Sequence, residues 1–293
     1  MNSKIEPILA SVLVYFPIAW VSALGGYLGR RNARQGIKLR RKWVARMHHN
    51  LEELQGIKQQ SVREQMIVRH IEHIGRIYAE YPIVHRLAKA GRFNIEGAQH
   101  LKTSDKPTLF VTAHTGHWEL LAEVMIQHKI PVAYIYDPIE NSLRLKVAMR
   151  TRRKICPEEE GYKYIGASKT AGKEVVHWLK DGGNLFIFGD EEVDSIIWAP
   201  DFGRDLPYSG NLAKTIKLAT KYNMQIIPLH VKRTANARYT AVIEAPIAPP
   251  SATASPAAIK ELYSSLNAVI EKWVLEDICH WYWLANLDLK RKP

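Results

Sequence analysis

The run Leu109-Phe110-Val111-Thr112-Ala113-His114-Thr115-Gly116-His117-Trp118-Glu119 leaves an apolar stretch at a histidine and reaches an acid five positions later. A strand of Leu, Phe and Val that ends in Thr, His and Gly delivers a polar side chain at its end, where a turn starts a helix near Trp118. Imidazole accepts a proton near neutral pH, and a carboxylate in reach holds its tautomer and stabilises the imidazolium that forms. His114 and Glu119 are therefore a candidate general-base pair. Two other readings of the same residues stand beside this one. In a capped helix start, both side chains satisfy backbone groups around the turn. In a metal site, His114, His117 and Glu119 would be ligands; this is weaker, because the histidines are three apart across a turn and no further His motif completes a zinc set.

The elements that must position these groups follow from the hydropathy pattern. Strands are expected at 108–113, 131–136, 184–188 and 225–231, and helices near 118–128, 140–154, 168–180, 210–222 and 256–277. Asp181-Gly182-Gly183-Asn184 is a turn before the third strand. This alternation predicts an α/β fold, a mixed sheet flanked by helices, with reactive groups at strand ends. Before it, Trp43 to about Leu87 carries helical spacing, as in Ile67, His70, Ile71, Ile74 and Ile77, and reads as a helical N-terminal layer. The Pro-rich stretch from Ala245 to Pro256 reads as a surface connection, and no internal repeat is present. The division expected is an N-terminal transmembrane or membrane-anchoring segment at 1–29, a basic and amphipathic helical region at 30–100, and a catalytic α/β domain at 101–293, with the first segment an N-terminal membrane-anchor helix.

With 293 residues, 46% of them hydrophobic, the chain can bury a full core. Cys156 and Cys279 make no disulfide framework, which suits a reducing compartment. Lys and Arg number 41 against 29 Asp and Glu, a net charge of +12, so an acidic partner is expected: nucleic acid, an anionic membrane, a phosphorylated substrate or an acidic carrier protein. Eight cations lie between Arg30 and Arg46 with no acid among them, directly after Pro7 to Leu28, 22 positions without a charge. That stretch is long enough to cross a bilayer, and the cations on its C-terminal flank would leave the body of the protein in the cytoplasm. Pro17, Gly25 and Gly26 are tolerated in membrane helices, and Trp20 and Tyr27 suit the interface. A cleaved signal peptide is opposed by those cations, while a buried hairpin or a helix lying in the membrane surface also fits. No nucleic-acid fold motif appears.

The N-terminal apolar segment, HTGHWE at 114–119, FGD at 188–190, DFGRDLPYSGNLAKTIKLA at 201–219 and IIPLHVKR at 226–233 together resemble the lysophospholipid acyltransferase superfamily. Within it, the chain is most similar to the bacterial lipid A late acyltransferases of the lauroyl/myristoyl type. The resemblance implies direct transfer of a fatty acyl group from a thioester carrier to a hydroxyl of a lipid A precursor, with no covalent acyl-enzyme, no cofactor and no metal. His114 would be the general base and Glu119 the acid that orients it. Arg150, Arg152 and Arg153 fall where the family has a basic segment, one of them meeting a phosphate or the oxyanion; a solvated helix end is the alternative. Asp190 matches an acid beside the site and would position an arginine or acceptor groups, or else close an ordinary strand-end turn. Arg204 and Arg233 are further substrate-binding candidates, the first in a glycine-containing loop before a helix N-terminus. Trp281-Tyr282-Trp283 matches an aromatic segment, although large aromatics are more often core.

The donor implied is acyl carrier protein or acyl-CoA, and the place the cytoplasmic face of a bacterial inner membrane. Two departures qualify the resemblance: His117 stands where the family commonly has Asn, and Leu284-Ala285-Asn286 replaces the usual basic residues after the terminal aromatics. Another glycolipid or a lysophospholipid acceptor would keep the same catalytic pair. Outside this class, a metal-dependent hydrolase using His114, His117 and Glu119, and a non-enzymatic membrane-surface or nucleic-acid-binding protein driven by the basic run, remain as alternatives.

Overall fold

The computed structural model describes residues 12–102, 106–138, 141–193, 196–249, 251 and 253–291. From Ile18 onward the described residues form α1 (Ile18–Lys38), α2 (Lys42–Gln55) and α3 (Gln60–Glu80), then the short α4 (His85–Lys89). The chain then runs β1 (Phe93–Glu96), β2 (Thr108–Thr112), α5 (Leu121–Gln127), β3 (Val132–Tyr136), α6 (Ser142–Ile155), β4 (Lys163–Gly166), α7 (Ala171–Lys180) and β5 (Asn184–Phe188). A small antiparallel pair follows, β6 (Glu192–Val193) with β7 (Ile196–Ile197), then α8 (Gly210–Tyr222), β8 (Gln225–Ala235), β9 (Arg238–Ile243) and α9 (Pro256–Glu276). Seven strands form one mixed sheet in the order β1-β9-β8-β2-β5-β3-β4, parallel except for the β8–β9 hairpin.

β2 lies in the middle, buried at all five positions. A strand alternates its side chains between two faces, so one that is apolar throughout needs cover on both. Leu109 and Val111 pack with Leu185, Ile187 and Ile226, beneath Met47 and Leu51 of α2, Ile67 of α3 and Ile270 of α9. Phe110 points the other way, with Phe186 and Ile227, under Leu121 and Val124 of the α5 segment and Ile83 and Leu87 near α4. The four expected strands and five expected helices are present, with ends shifted by a few residues. β1, β4 and β9 add to them. They are short and carry charged residues, as in Lys163 and Arg238, so their hydropathy does not separate them from loops; pairing with neighbours makes them strands.

The expected N-terminal segment is described only in part. Residues 7–11 of the anticipated span lie outside the described residues, and no helix among those described is long and apolar enough to cross a membrane. The apolar run is interrupted at Pro17, and α1 begins at Ile18 and continues through Arg30, Arg31 and Arg34 to Lys38. Its small residues face protein: Val21, Ser22, Gly25, Gly26, Gly29 and Ala33 are buried. A Cβ on Gly25 would strike the Gly75 carbonyl of α3, and one on Gly29 the Ile71 carbonyl. Glycine here brings two helices into near backbone contact, and Arg30 closes the pair by an ion pair of 2.6 Å to Glu72.

Candidate active site

His114 follows β2 by two residues, and Asp190 follows β5 by two. The strands are parallel neighbours with Thr112 opposite Phe188, and the Gly189 amide donates to the Thr112 carbonyl at 2.7 Å. The two residues therefore emerge side by side although 76 positions separate them. Asp190 Oδ1 is 2.9 Å from His114 Nδ1, while Oδ2 accepts from the His114 amide at 2.8 Å and the Trp281 indole at 2.9 Å. The Asp190 side chain is fully buried and that of His114 is 21% exposed. With an ionised Asp190, Nδ1 of His114 carries its proton and Nε2 is left with a lone pair. The ring is held from several sides: it stacks on Phe188 with centroids 4.1 Å apart and meets Trp118 and Trp283 edge-on at 5.0 and 5.5 Å. The C-terminal segment clamps the same turn through the Tyr282 amide, which donates to the His114 carbonyl at 2.9 Å, and the Gly116 amide, which donates to the His280 carbonyl at 3.1 Å.

Glu119 is not the partner of His114 Nδ1. It lies in a single 3-10 turn, Trp118–Leu120, and both its oxygens are taken by Arg152 of α6, Nε to Oε2 at 3.1 Å and Nη2 to Oε1 at 2.7 Å. The Tyr81 hydroxyl donates to the same Oε1 at 3.0 Å. Burial raises the carboxyl's pKa, but the Arg152 charge and these hydrogen bonds outweigh it and hold Glu119 below its ordinary value. Burial likewise opposes the charge on Arg152, and Glu119 more than restores it. The Arg152 guanidinium also lies 5.4 Å from the centre of the Tyr136 ring.

The remaining candidates are dispersed. Arg150 is exposed and, with Leu145, Lys146, Met149, Arg153 and Lys154, lines a shallow groove of about 550 Å³ on the outer face of α6. Arg153 pairs with Glu158 at 2.6 Å. Arg204 is a staple for its own loop, donating to the carbonyls of Asp201 at 2.8 Å and Ile197 at 2.6 Å. Arg233 is buried against Glu80. The structure brings neither of the last two to His114.

The metal arrangement also comes apart, because its three residues diverge. His114 turns to Asp190 and Glu119 to Arg152, while the fully buried His117 sits against the Tyr81 and Tyr239 rings. Burial lowers the His117 pKa to about 4. Its side chain makes no capping bond to the turn that follows. Among the described residues, no group of three His, Cys, Asp or Glu could hold a metal ion. Sequence reasoning missed Tyr81, His73 and the hydrogen bond from Trp281. The aromatic block at 281–283 was visible, but nothing local shows that one of its indoles reaches an acid 91 positions earlier.

A strand-end histidine on a mixed α/β sheet is compatible with many chemistries, and comparison with known proteins selects one: the protein is an acyltransferase. It belongs to the bacterial lipid A biosynthesis acyltransferase family, whose model matches residues 6–290. Among solved structures, the chain is similar to the 1-acyl-sn-glycerophosphate (LPA) acyltransferase PlsC from Thermotoga maritima, with a TM-score of 0.38 and 14% identity over 84% of this chain and 96% of that one. No curated protein matches the chain.

Proposed function

We propose that the protein moves a fatty acyl group from an acyl carrier protein thioester, or from acyl-CoA, to a hydroxyl of a lipid A precursor at the cytoplasmic face of a bacterial inner membrane. His114 acts as the general base. Its Nε2 takes the proton of the acceptor hydroxyl as the oxygen attacks the thioester carbonyl. The tetrahedral intermediate collapses with loss of the carrier thiolate, which receives that proton from the imidazolium. The observation that carries this reading is the fully buried Asp190 carboxylate 2.9 Å from Nδ1, which leaves Nε2 as the free nitrogen. Asp190 orients the ring and stabilises the imidazolium, the role expected of Glu119 from the sequence.

Glu119 instead holds Arg152. The guanidinium uses Nε and Nη2 on Glu119, and its remaining nitrogen, Nη1, is the group we assign to an acceptor phosphate or to the developing oxyanion. Arg150 and Arg153, on the outer face of α6, suit longer-range attraction of an anionic donor.

Membrane association is assigned to one face of α1. Trp20 (68% exposed), Leu24, Tyr27 (55%) and Leu28 form an apolar stripe, continued by exposed Arg31, Arg34 and Lys38. An apolar face with interfacial aromatics and a basic end suits a helix lying in the surface of an anionic bilayer rather than crossing it.

The test is acyl transfer from labelled acyl carrier protein by wild type and His114→Ala, with a lipid A precursor and a lysophospholipid offered in parallel. Product on the lipid A precursor, made by wild type alone, is expected. Product on the lysophospholipid alone would move the acceptor, and normal turnover by His114→Ala would remove His114 as the base.

A further inference from the structure

The buried face of α3 carries ionisable side chains where an apolar stripe would have served for packing: His70, His73 and Glu80 are buried together with Ile67 and Ile77. Glu80 accepts from Arg233 of β8 through both oxygens, at 3.2 and 3.1 Å, and from the Tyr239 hydroxyl of β9. This leaves Nε of Arg233, which donates to Nδ1 of His73 at 3.1 Å. A guanidinium has no acceptor and does not lose its proton in a protein, so Nδ1 of His73 must hold a lone pair. The ring is then neutral, and its single proton sits on Nε2, 3.2 Å from the Gly116 carbonyl oxygen. Burial, and after it the nearby His280 ring and Arg233 charge, also disfavour an imidazolium there.

Gly116 lies in the turn that carries His114, and its surroundings leave it little freedom. Its φ is +56°, a conformation suited to glycine, and a Cβ would strike the Val231 carbonyl of β8. The row Glu80–Arg233–His73 thus runs from the end of α3 past β8 and ends on the backbone of the candidate catalytic turn.

We infer that His73, locked by Arg233 as the neutral Nε2–H tautomer, is a positioning residue that holds the Gly116 carbonyl and so sets the place of His114. The inference rests on His114 being the base. His73 touches no reacting atom and acts through the turn.

Three measurements test it. His73→Gln keeps an acceptor toward Arg233 and a donor toward Gly116, whereas His73→Leu keeps volume and loses both. With wild-type fold checked by circular dichroism, His73→Leu is expected to lower kcat by about 10- to 100-fold, the scale of a small misplacement of a reacting group, with KM little changed. His73→Gln is expected to recover most of that loss. Full kcat in His73→Leu, a rise in KM alone, or no recovery in His73→Gln would overturn the assignment. Nitrogen-15 spectra of histidine-labelled wild type at pH 7 need neither variant to fold. A neutral Nε2–H ring at His73 is expected, and an Nδ1–H ring or an imidazolium would overturn it. An active His114→Ala enzyme would instead defeat the reading of the base, leaving the spectrum of His73 to decide the tautomer separately.

Discussion

Replacing Asp190 by Asn tests the proposed base most directly, because the geometry dictates how the amide must sit. Oδ2 of Asp190 receives two obligate donors, the His114 amide and the Trp281 indole. In Asp190→Asn the amide oxygen has to take that place, which turns its NH₂ toward His114 Nδ1. A donor facing Nδ1 favours the opposite tautomer, with the proton on Nε2, and removes the lone pair that takes the hydroxyl proton. The negative charge that stabilises the imidazolium is lost as well. At an effective dielectric near 20 and a separation of about 4 Å, that attraction is on the order of 4 kcal/mol. At about 1.4 kcal/mol per tenfold in rate, this corresponds to about 10³ in kcat, and the wrong tautomer in a comparable histidine–aspartate pair takes the loss to about 10⁴. The assay is steady-state transfer from labelled acyl carrier protein at saturating acceptor, with circular dichroism and a thermal melt to show an intact fold. Asp190→Asn with kcat within about tenfold of wild type would refute the reasoning, since neither effect could then operate at the reacting nitrogen.

Two further outcomes concern the neighbouring acid and the N-terminal helix. Glu119→Gln leaves Arg152 beside a neutral partner, and is expected to destabilise the fold by up to about 3 kcal/mol at pH 7, the low end for a broken buried pair because Arg152 is 21% exposed. Glu119 has a lowered folded pKa, so its contribution is present above the ordinary value of 4.5 and is lost as pH falls through the lower folded value. Melts of wild type and Glu119→Gln should therefore converge as pH drops below that range; a gap that widens in acid would contradict the assignment. For α1, Trp20→Ser with Leu24→Ser is expected to weaken sedimentation with phosphatidylglycerol vesicles by at least about tenfold, since each large apolar side chain contributes about 1.5–3 kcal/mol when fully buried. Wild type should bind phosphatidylcholine vesicles less well and lose binding as salt rises. Equal binding of the double variant would remove this face from the membrane contact.

Much of the catalytic scaffold is legible along the chain because the signals are local. The apolar run before His114 reads as a strand buried on both faces, and Gly-Gly at 182–183 reads as the turn before the next strand. The acid nearest in sequence, Glu119, is the natural partner for His114 on spacing, yet a 3-10 turn and the basic α6 carry it to Arg152 instead. Parallel register between β2 and β5 decides the partner, placing Asp190 beside His114 from 76 positions away. No periodicity within either segment contains that pairing. The N-terminal run shows the same division. Its hydropathy was evident, but Gly25, Gly29 and Gly75 acquire their meaning only when α1 and α3 meet backbone to backbone, sending one face of the run into protein and the other outward. Sequence by itself determined the strand, the histidine at its end and the family-like order of blocks, since each depends on neighbours along the chain. Tertiary structure decided which acid lies beside that histidine, which arginines are committed to other partners, and which face of an apolar stretch packs against protein, because those depend on contacts between segments that only folding brings together.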